Sequence, residues 1–175
     1  LTRLGTIAVS GTVLDSTVQS VSVNGVGATV APQGAGQFAF SASVPLAEGD
    51  VALVVTATDS AGQVGTAQVT VTRDSTSPLL EVTAPERLTQ RVSGTAAIAA
   101  SDNLALQQIA VSINGTAAGT FTTSPVQVPL PLPSGAVIGD TVTVTVTATD
   151  TAGNTATATR TVLVTGDGAV LGQVL

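Results

Sequence analysis

The chain has 175 residues, of which 43% are hydrophobic but only 2% aromatic, and it contains no His, Cys, Met, Trp or Tyr. All five basic residues are arginines, set against eight Asp and three Glu for a formal charge of −6. Those absences exclude disulfides, thiolate and imidazole catalysis, Schiff-base chemistry and Lys–Asn isopeptide cross-links, and the charge has the wrong sign for a nucleic-acid binder.

The length suits one large or two small domains, and an internal repeat decides for two. Val51–Asp59 followed by Ser60-Ala-Gly-Gln63 is copied as Val142–Asp150 followed by Thr151-Ala-Gly-Asn154, offset by 91 positions (142 − 51). Each copy is a strand with alternating apolar and polar positions that ends in a turn. The expected fold is all-β, two tandem immunoglobulin-like Greek-key β-sandwiches. The expected boundaries are a first domain over 1–74, a linker over 75–78 and a second domain over 79–166. Residues 167–175 are expected to open a following domain that is not included. Without large aromatics, both cores fall to Val, Ala, Leu, Ile and threonine methyl groups.

In chain order, Leu1 to Leu4 reads as a short edge strand and Thr6 to Leu14 as a strand with Ile7, Val9 and Val13 on one face. Val18 to Val23 runs into Asn24-Gly25, a hairpin signal because both central positions of a type I′ turn need positive φ. Gly27 to Ala31 is a short return strand that Pro32 is expected to break. Gln37 to Val44, the repeat strand, and Thr66 to Thr72 complete the first domain, the last with Ala67, Val69 and Val71 inward.

The polar run Arg73 to Pro78 forms the joint. In the second copy, Leu79 to Ala84 is a strand, and Val111-Ser-Ile-Asn-Gly115 repeats Val21-Ser-Val-Asn-Gly25. Ser101 to Leu106 lengthens one connection. Pro125, Pro129, Pro131 and Pro133 mark the fifth strand as an edge or a bulged strand, since proline cannot donate to a ladder. In the last strand, Thr155 to Val164, Arg160 takes the inward parity of Val69 in the first copy. A buried lone guanidinium is costly, so Arg160 is expected either to be turned out by a bulge or to snorkel at the rim.

These residues resemble bacterial Ig-like domains, through Val54–Gly62, Val144–Asn154 and the Arg73–Pro78 joint. The first copy is similar to the glucodextranase B-type Ig-like domain in Val9–Asp15, Val21–Gly25 and Val44–Asp50. The resemblance implies a module of a large exported bacterial protein, at the cell surface or secreted. It implies a spacer or scaffold without catalysis of its own, whose partners are neighbouring domains of the same polypeptide. Alternatives are an adhesive or carbohydrate-binding accessory module that meets a host or matrix glycan or protein, or a domain packed against a larger YD/Rhs-like repeat shell. No run is long and apolar enough to insert in a membrane, and the start at Leu1 without a signal pattern reads as an interior segment.

No catalytic residue and no cofactor is expected. Glu48 and Asp50 make a poor acid–base pair, because their repeat mate retains only Asp140. No metal is expected either, with calcium as the alternative: an immunoglobulin-type sandwich would gather Asp74, Asp102, Asn103 and Asp150, oxygen donors suited to that ion, at one end of the second domain. The preferred reading makes these residues turn caps. Asn114-Gly-Thr116 fits a glycosylation acceptor, but the hairpin explains it as well.

Overall fold

The computed structural model describes residues 1–89 and 92–166. It is all-β among the described residues and divides into two units, Leu1–Ser75 and Thr76–Leu175. The expectation that 167–175 begins another domain lies outside the described residues.

The first unit contains β1 (Thr6–Leu14), β2 (Val18–Val23), β3 (Val26–Gly27), β4 (Thr29–Gly34), β5 (Gln37–Pro45), β6 (Gly49–Asp59) and β7 (Val64–Arg73). One sheet has the order β1-β5-β4, the other β3-β2-β6-β7. The core between them holds Val21, Val23, Phe40, Ala42, Val44, Leu46 and Leu53. Removing a side chain of this size from water contributes about 1.5–3 kcal/mol, so a few such residues decide whether the unit folds.

The return from the Asn-Gly hairpin differs from expectation. Instead of one short strand stopped by Pro32, β3 pairs with β2 in one sheet, and β4 then crosses to pair with β5 in the other. Pro32 lies opposite Phe38 on this edge strand, where its missing N–H is tolerated, and a register shift follows between Pro32 and Gly34. Leu1 to Leu4 makes a single parallel bridge, Thr2 to Arg73, rather than a strand. Gly11 sits under Phe40: a Cβ there would fall 2.8 Å from the ring.

The second unit contains β8 (Leu79–Thr83), β9 (Arg87–Thr89), β10 (Gly94–Ser101), β11 (Leu106–Ile113), β12 (Thr116–Phe121), β13 (Val126–Leu130), β14 (Thr141–Asp150) and β15 (Thr155–Thr165). Its sheets are β13-β10-β8 and β12-β11-β14-β15-β9. The proline-marked β13 is an edge strand, as its composition requires. The short β9 pairs parallel with β15, a strand the sequence pattern did not show.

The repeat strand is central in each unit. In β14, Val142, Val144, Val146 and Ala148 are fully buried, while Thr145 and Thr147 meet Thr159 and Thr157 of β15 across the other face, at 3.4 and 3.1 Å between hydroxyls. Such cross-strand hydroxyl pairs stabilise a sheet face without burying it.

The two last strands diverge. Arg160 is exposed and pairs with Val144 in an unbroken register, so no bulge turns it outward. It snorkels: Nε donates to the Val82 carbonyl of β8 at 2.9 Å and Nη1 to the Thr159 carbonyl at 3.1 Å. Its mate Val69 lies on the inward face, opposite the buried Leu53, but is not covered. Val69 is 53% exposed and Ala67 is exposed with it; among the described residues no strand covers this rim as β8 does in the second unit.

Candidate functional site

The positions singled out for chemistry lie in turns, and each turn is built by its own side chain. At the Asn-Gly hairpins, Asn24 and Asn114 adopt φ of 47° and 51°, followed by Gly25 and Gly115 at 79°. The Asn24 amide reaches β6, accepting from Val54 N–H at 2.8 Å and donating to the Ala52 carbonyl at 2.9 Å. Asn114 likewise reaches β14, where its Oδ1 accepts from Thr143 N–H at 2.8 Å. Each Asn therefore pins its hairpin to the central strand.

The turns after the repeat strands are closed by aspartate. Asp59 Oδ1 accepts from the N–H groups of Ala61 and Gln63, both at 2.8 Å. Asp150 is fully buried. Its Oδ1 accepts from Asn154 N–H and its Oδ2 from the Asn154 side-chain amide, both at 2.8 Å. Burial opposes the Asp150 charge, but hydrogen bonds from the Asn154 side chain and from the backbone N–H groups of Asn154, Gly153 and Ala152 outweigh it. They hold its pKa below the ordinary Asp value. The two turns differ at two positions, Ser60 for Thr151 and Gln63 for Asn154, and the second matters here: Gln63 stands where Asn154 supplies a side-chain donor.

Glu48 and Asp50 do not face a common point. Glu48 accepts from Ser75, through N–H at 2.8 Å and Oγ at 2.7 Å, and lies 3.5 Å from Arg73 Nη1. Asp50 instead accepts from the Thr72 hydroxyl. The Ser75 backbone and hydroxyl, followed by the Arg73 charge, lower the Glu48 pKa. This clamp on the end of β7 was not legible in the sequence, where Glu48 and Ser75 are 27 positions apart.

Of the four calcium candidates, the structure brings Asp102 and Asp150 together. Thr151 N–H bonds the Ala105 carbonyl at 3.0 Å, and an oxygen of each carboxylate lies within 4.8 Å of the other. Asp102 Oδ2 accepts from the N–H groups of Leu104 and Ala105 at 3.0 and 3.2 Å, whereas its Oδ1 is buried without a hydrogen-bond partner. Asn103 is exposed in the same loop. Asp74 belongs to the first unit, where its N–H donates to the Thr2 carbonyl at 2.9 Å.

Comparison with known proteins matches this architecture. Residues 1–75 fit the family model described as glucodextranase, domain B. The fibronectin(III)-like modules of Clostridium thermocellum CbhA align at 18% identity over 92% of this chain and 86% of theirs, with a TM-score of 0.50. The first unit is a bacterial Ig-like domain. The all-β, Ig-like sandwich extends through the second unit. The adhesin InvE of Yersinia pseudotuberculosis is a more distant likeness, at 16% identity over 90% of this chain and 49% of that one, with a TM-score of 0.32. No curated protein sequence matches the chain.

In both Ig-like units the aspartates of the turns accept from local donors, whereas Glu48 and Asp50 clamp β7 and the residues after it through Ser75 and Thr72. Among the described residues no helix is long and apolar enough to cross a membrane.

Proposed function

We propose that this pair of Ig-like domains is a structural spacer or scaffold within a large bacterial surface or secreted protein, with neighbouring domains of that polypeptide as its partners and no reaction of its own. The observation that carries this reading is the engagement of the carboxylates with the backbone. Asp15, Asp59, Asp102, Asp140 and Asp150 each accept from an N–H two to four residues away. Glu48 and Asp50, the pair weighed as acid and base in the sequence, hold Ser75 and Thr72 instead. An acid–base pair needs two carboxyl groups converging on one substrate position, and this pair diverges.

The adhesive or carbohydrate-binding reading draws support from the glucodextranase match. Against it stands the scarcity of aromatic rings: Phe40 is buried in the core of the first sandwich and Phe121 packs on the second core. A screen of the intact chain against bacterial, plant and mucin glycans, with glycosidase assays alongside, tests both. No retained glycan and no turnover is the expected outcome; reproducible binding to one glycan class replaces the spacer with the binding module.

A second reading concerns calcium at Asp102 and Asp150. It is favoured by the buried, unbonded Asp102 Oδ1 beside a second carboxylate, since two like charges at that separation gain from a cation between them. The remaining oxygens would come from carbonyls or water. On this reading millimolar calcium raises the melting temperature of the second unit relative to EDTA, and Asp102→Asn removes the difference. Identical melting in calcium and EDTA leaves these residues as turn caps only.

A further inference from the structure

The two Asn-Gly hairpins share a sequence and a backbone but not a full set of hydrogen bonds. Asn24 and Asn114 both take positive φ, each ahead of a glycine at 79°, in the two-residue loops that close Val23 on Val26 and Ile113 on Thr116. Each backbone N–H is held by the central strand, Asn24 by the Val54 carbonyl at 2.9 Å and Asn114 by the Thr143 carbonyl at 2.8 Å. Each side-chain Oδ1 accepts from the N–H of that same strand residue at 2.8 Å. The side-chain nitrogens differ. Nδ2 of Asn24 donates to the Ala52 carbonyl at 2.9 Å, whereas Nδ2 of Asn114 meets no acceptor among the described residues.

Both loops lie open to solvent. Asn24, Gly25, Asn114 and Gly115 are exposed, and a Cβ on either glycine would meet nothing within 4 Å. Neither glycine N–H donates a hydrogen bond among the described residues, so each nitrogen, once deprotonated, is a nucleophile beside an asparagine carboxamide. The closed turn restrains that attack. These φ values are those of a type I′ turn, whose first central residue has ψ of about +30°, and this rotation points the glycine nitrogen away from the asparagine Cγ. The asparagine must therefore swing off the central strand before the two atoms can meet. Three hydrogen bonds from the asparagine hold the closed turn at Asn24, and two at Asn114.

We propose that Asn114 is a self-modification site, at which the folded chain deamidates ahead of Asn24. The Gly115 nitrogen loses its proton to hydroxide and bonds to Asn114 Cγ; the Cγ–Nδ2 bond breaks, and Nδ2 leaves as ammonia with a proton from solvent. Water then opens the cyclic imide. Opening at Cγ gives aspartate and opening at the main-chain carbonyl carbon of residue 114 gives isoaspartate, so the net change is water in and ammonia out. The aspartate product keeps an oxygen for the Thr143 N–H. The isoaspartate product routes the main chain through Cβ and Cγ, which lengthens a two-residue turn and gives up the side-chain pin to β14. The loosened strand is β12, an edge strand whose Phe121 packs on the core. The second unit thus carries an ageing site from which the Ala52 bond shields its repeat mate.

The test incubates the intact chain in mildly alkaline buffer and follows the amide-to-acid mass shift in the peptides that carry each site, with isoaspartate scored by a methyltransferase specific for it. In the folded chain Asn114 should convert about twofold to tenfold faster than Asn24, the ratio that one net hydrogen bond supports. In denaturing urea the two rates should converge, since each asparagine precedes a glycine. The native ratio should hold in sub-denaturing urea, because opening one turn exposes little surface. Equal rates in the folded chain, or conversion of Asn24 first, overturns the proposal. So does a ratio that survives denaturation, which puts the cause in the flanking sequence. A ratio that climbs steeply with low urea assigns the reaction to global unfolding of the second unit and overturns it as well.

Discussion

Single residues hold the turns of this molecule, and their effects are separable. Asn114 carries a hydrogen bond from β14 that no other side chain at the hairpin replaces, so Asn114→Ala should cost the second unit about 1–3 kcal/mol by leaving Thr143 N–H unsatisfied. Calorimetry of the variant checks this, and Asn24→Ala should act alike on the first unit. Asp150 should matter more, because both of its oxygens are engaged in a buried turn: Asp150→Ala should cost about 2–4 kcal/mol. The pH dependence follows from the direction of its shift. A folded pKa below the unfolded value, about 3.9 for Asp, means that its stabilisation is fully present above pH 4 and is lost as pH falls through the lower folded pKa. Acid titration of melting temperature should show this loss in the parent chain and a flatter profile in Asp150→Asn. Glu48 has the same sign, and Glu48→Gln should loosen the Ser75 clamp at neutral pH with little change in melting, because that carboxylate is solvent-facing.

At the level of elements, the central repeat strands bear the cores and the final strands bear the differences. Val146 is fully buried in β14, and Val146→Ala removes two methyl groups, about 0.8 kcal/mol each before the cavity is counted. A loss of about 2 kcal/mol is expected by urea unfolding. Substituting the half-buried Thr147 with Val should cost far less, because its side of the strand meets Thr157 rather than the core. Arg160 distinguishes packing from charge: Arg160→Met keeps the apolar stem at the rim but abandons the Val82 carbonyl. A loss of about 1 kcal/mol, insensitive to salt, is expected because the guanidinium meets carbonyls there. This element was half legible beforehand. Parity identified Arg160 as misplaced in an inward row; only the structure showed that β8 supplies its acceptor.

For the whole molecule, composition sets the behaviour. An acidic chain with five arginines and no lysine should pass through immobilised DNA even at low ionic strength, and retention there would contradict the reading of its charge. Each unit is small enough that its stability rests on one thin aliphatic core. Leu53→Ala, in the core of the first unit, should therefore cost about 2–5 kcal/mol and bring that unit close to unfolding, which near-native proteolysis would detect.

The sequence by itself determined the repeat, the all-β Ig-like sandwich, the Asn-Gly hairpins and the buried face of β14, because these follow from strand alternation and from the φ demands of two-residue turns, both local. Tertiary structure decided which edges are covered. Ala67 and Val69 carry the inward pattern, yet they are exposed, since alternation says which way a side chain points and not whether another strand lies there to meet it. The crossing of β3 into β4, the parallel β9 and the Glu48–Ser75 clamp were invisible for the same reason. Each joins residues whose pairing is set by the other sheet, over separations at which local preference has no say.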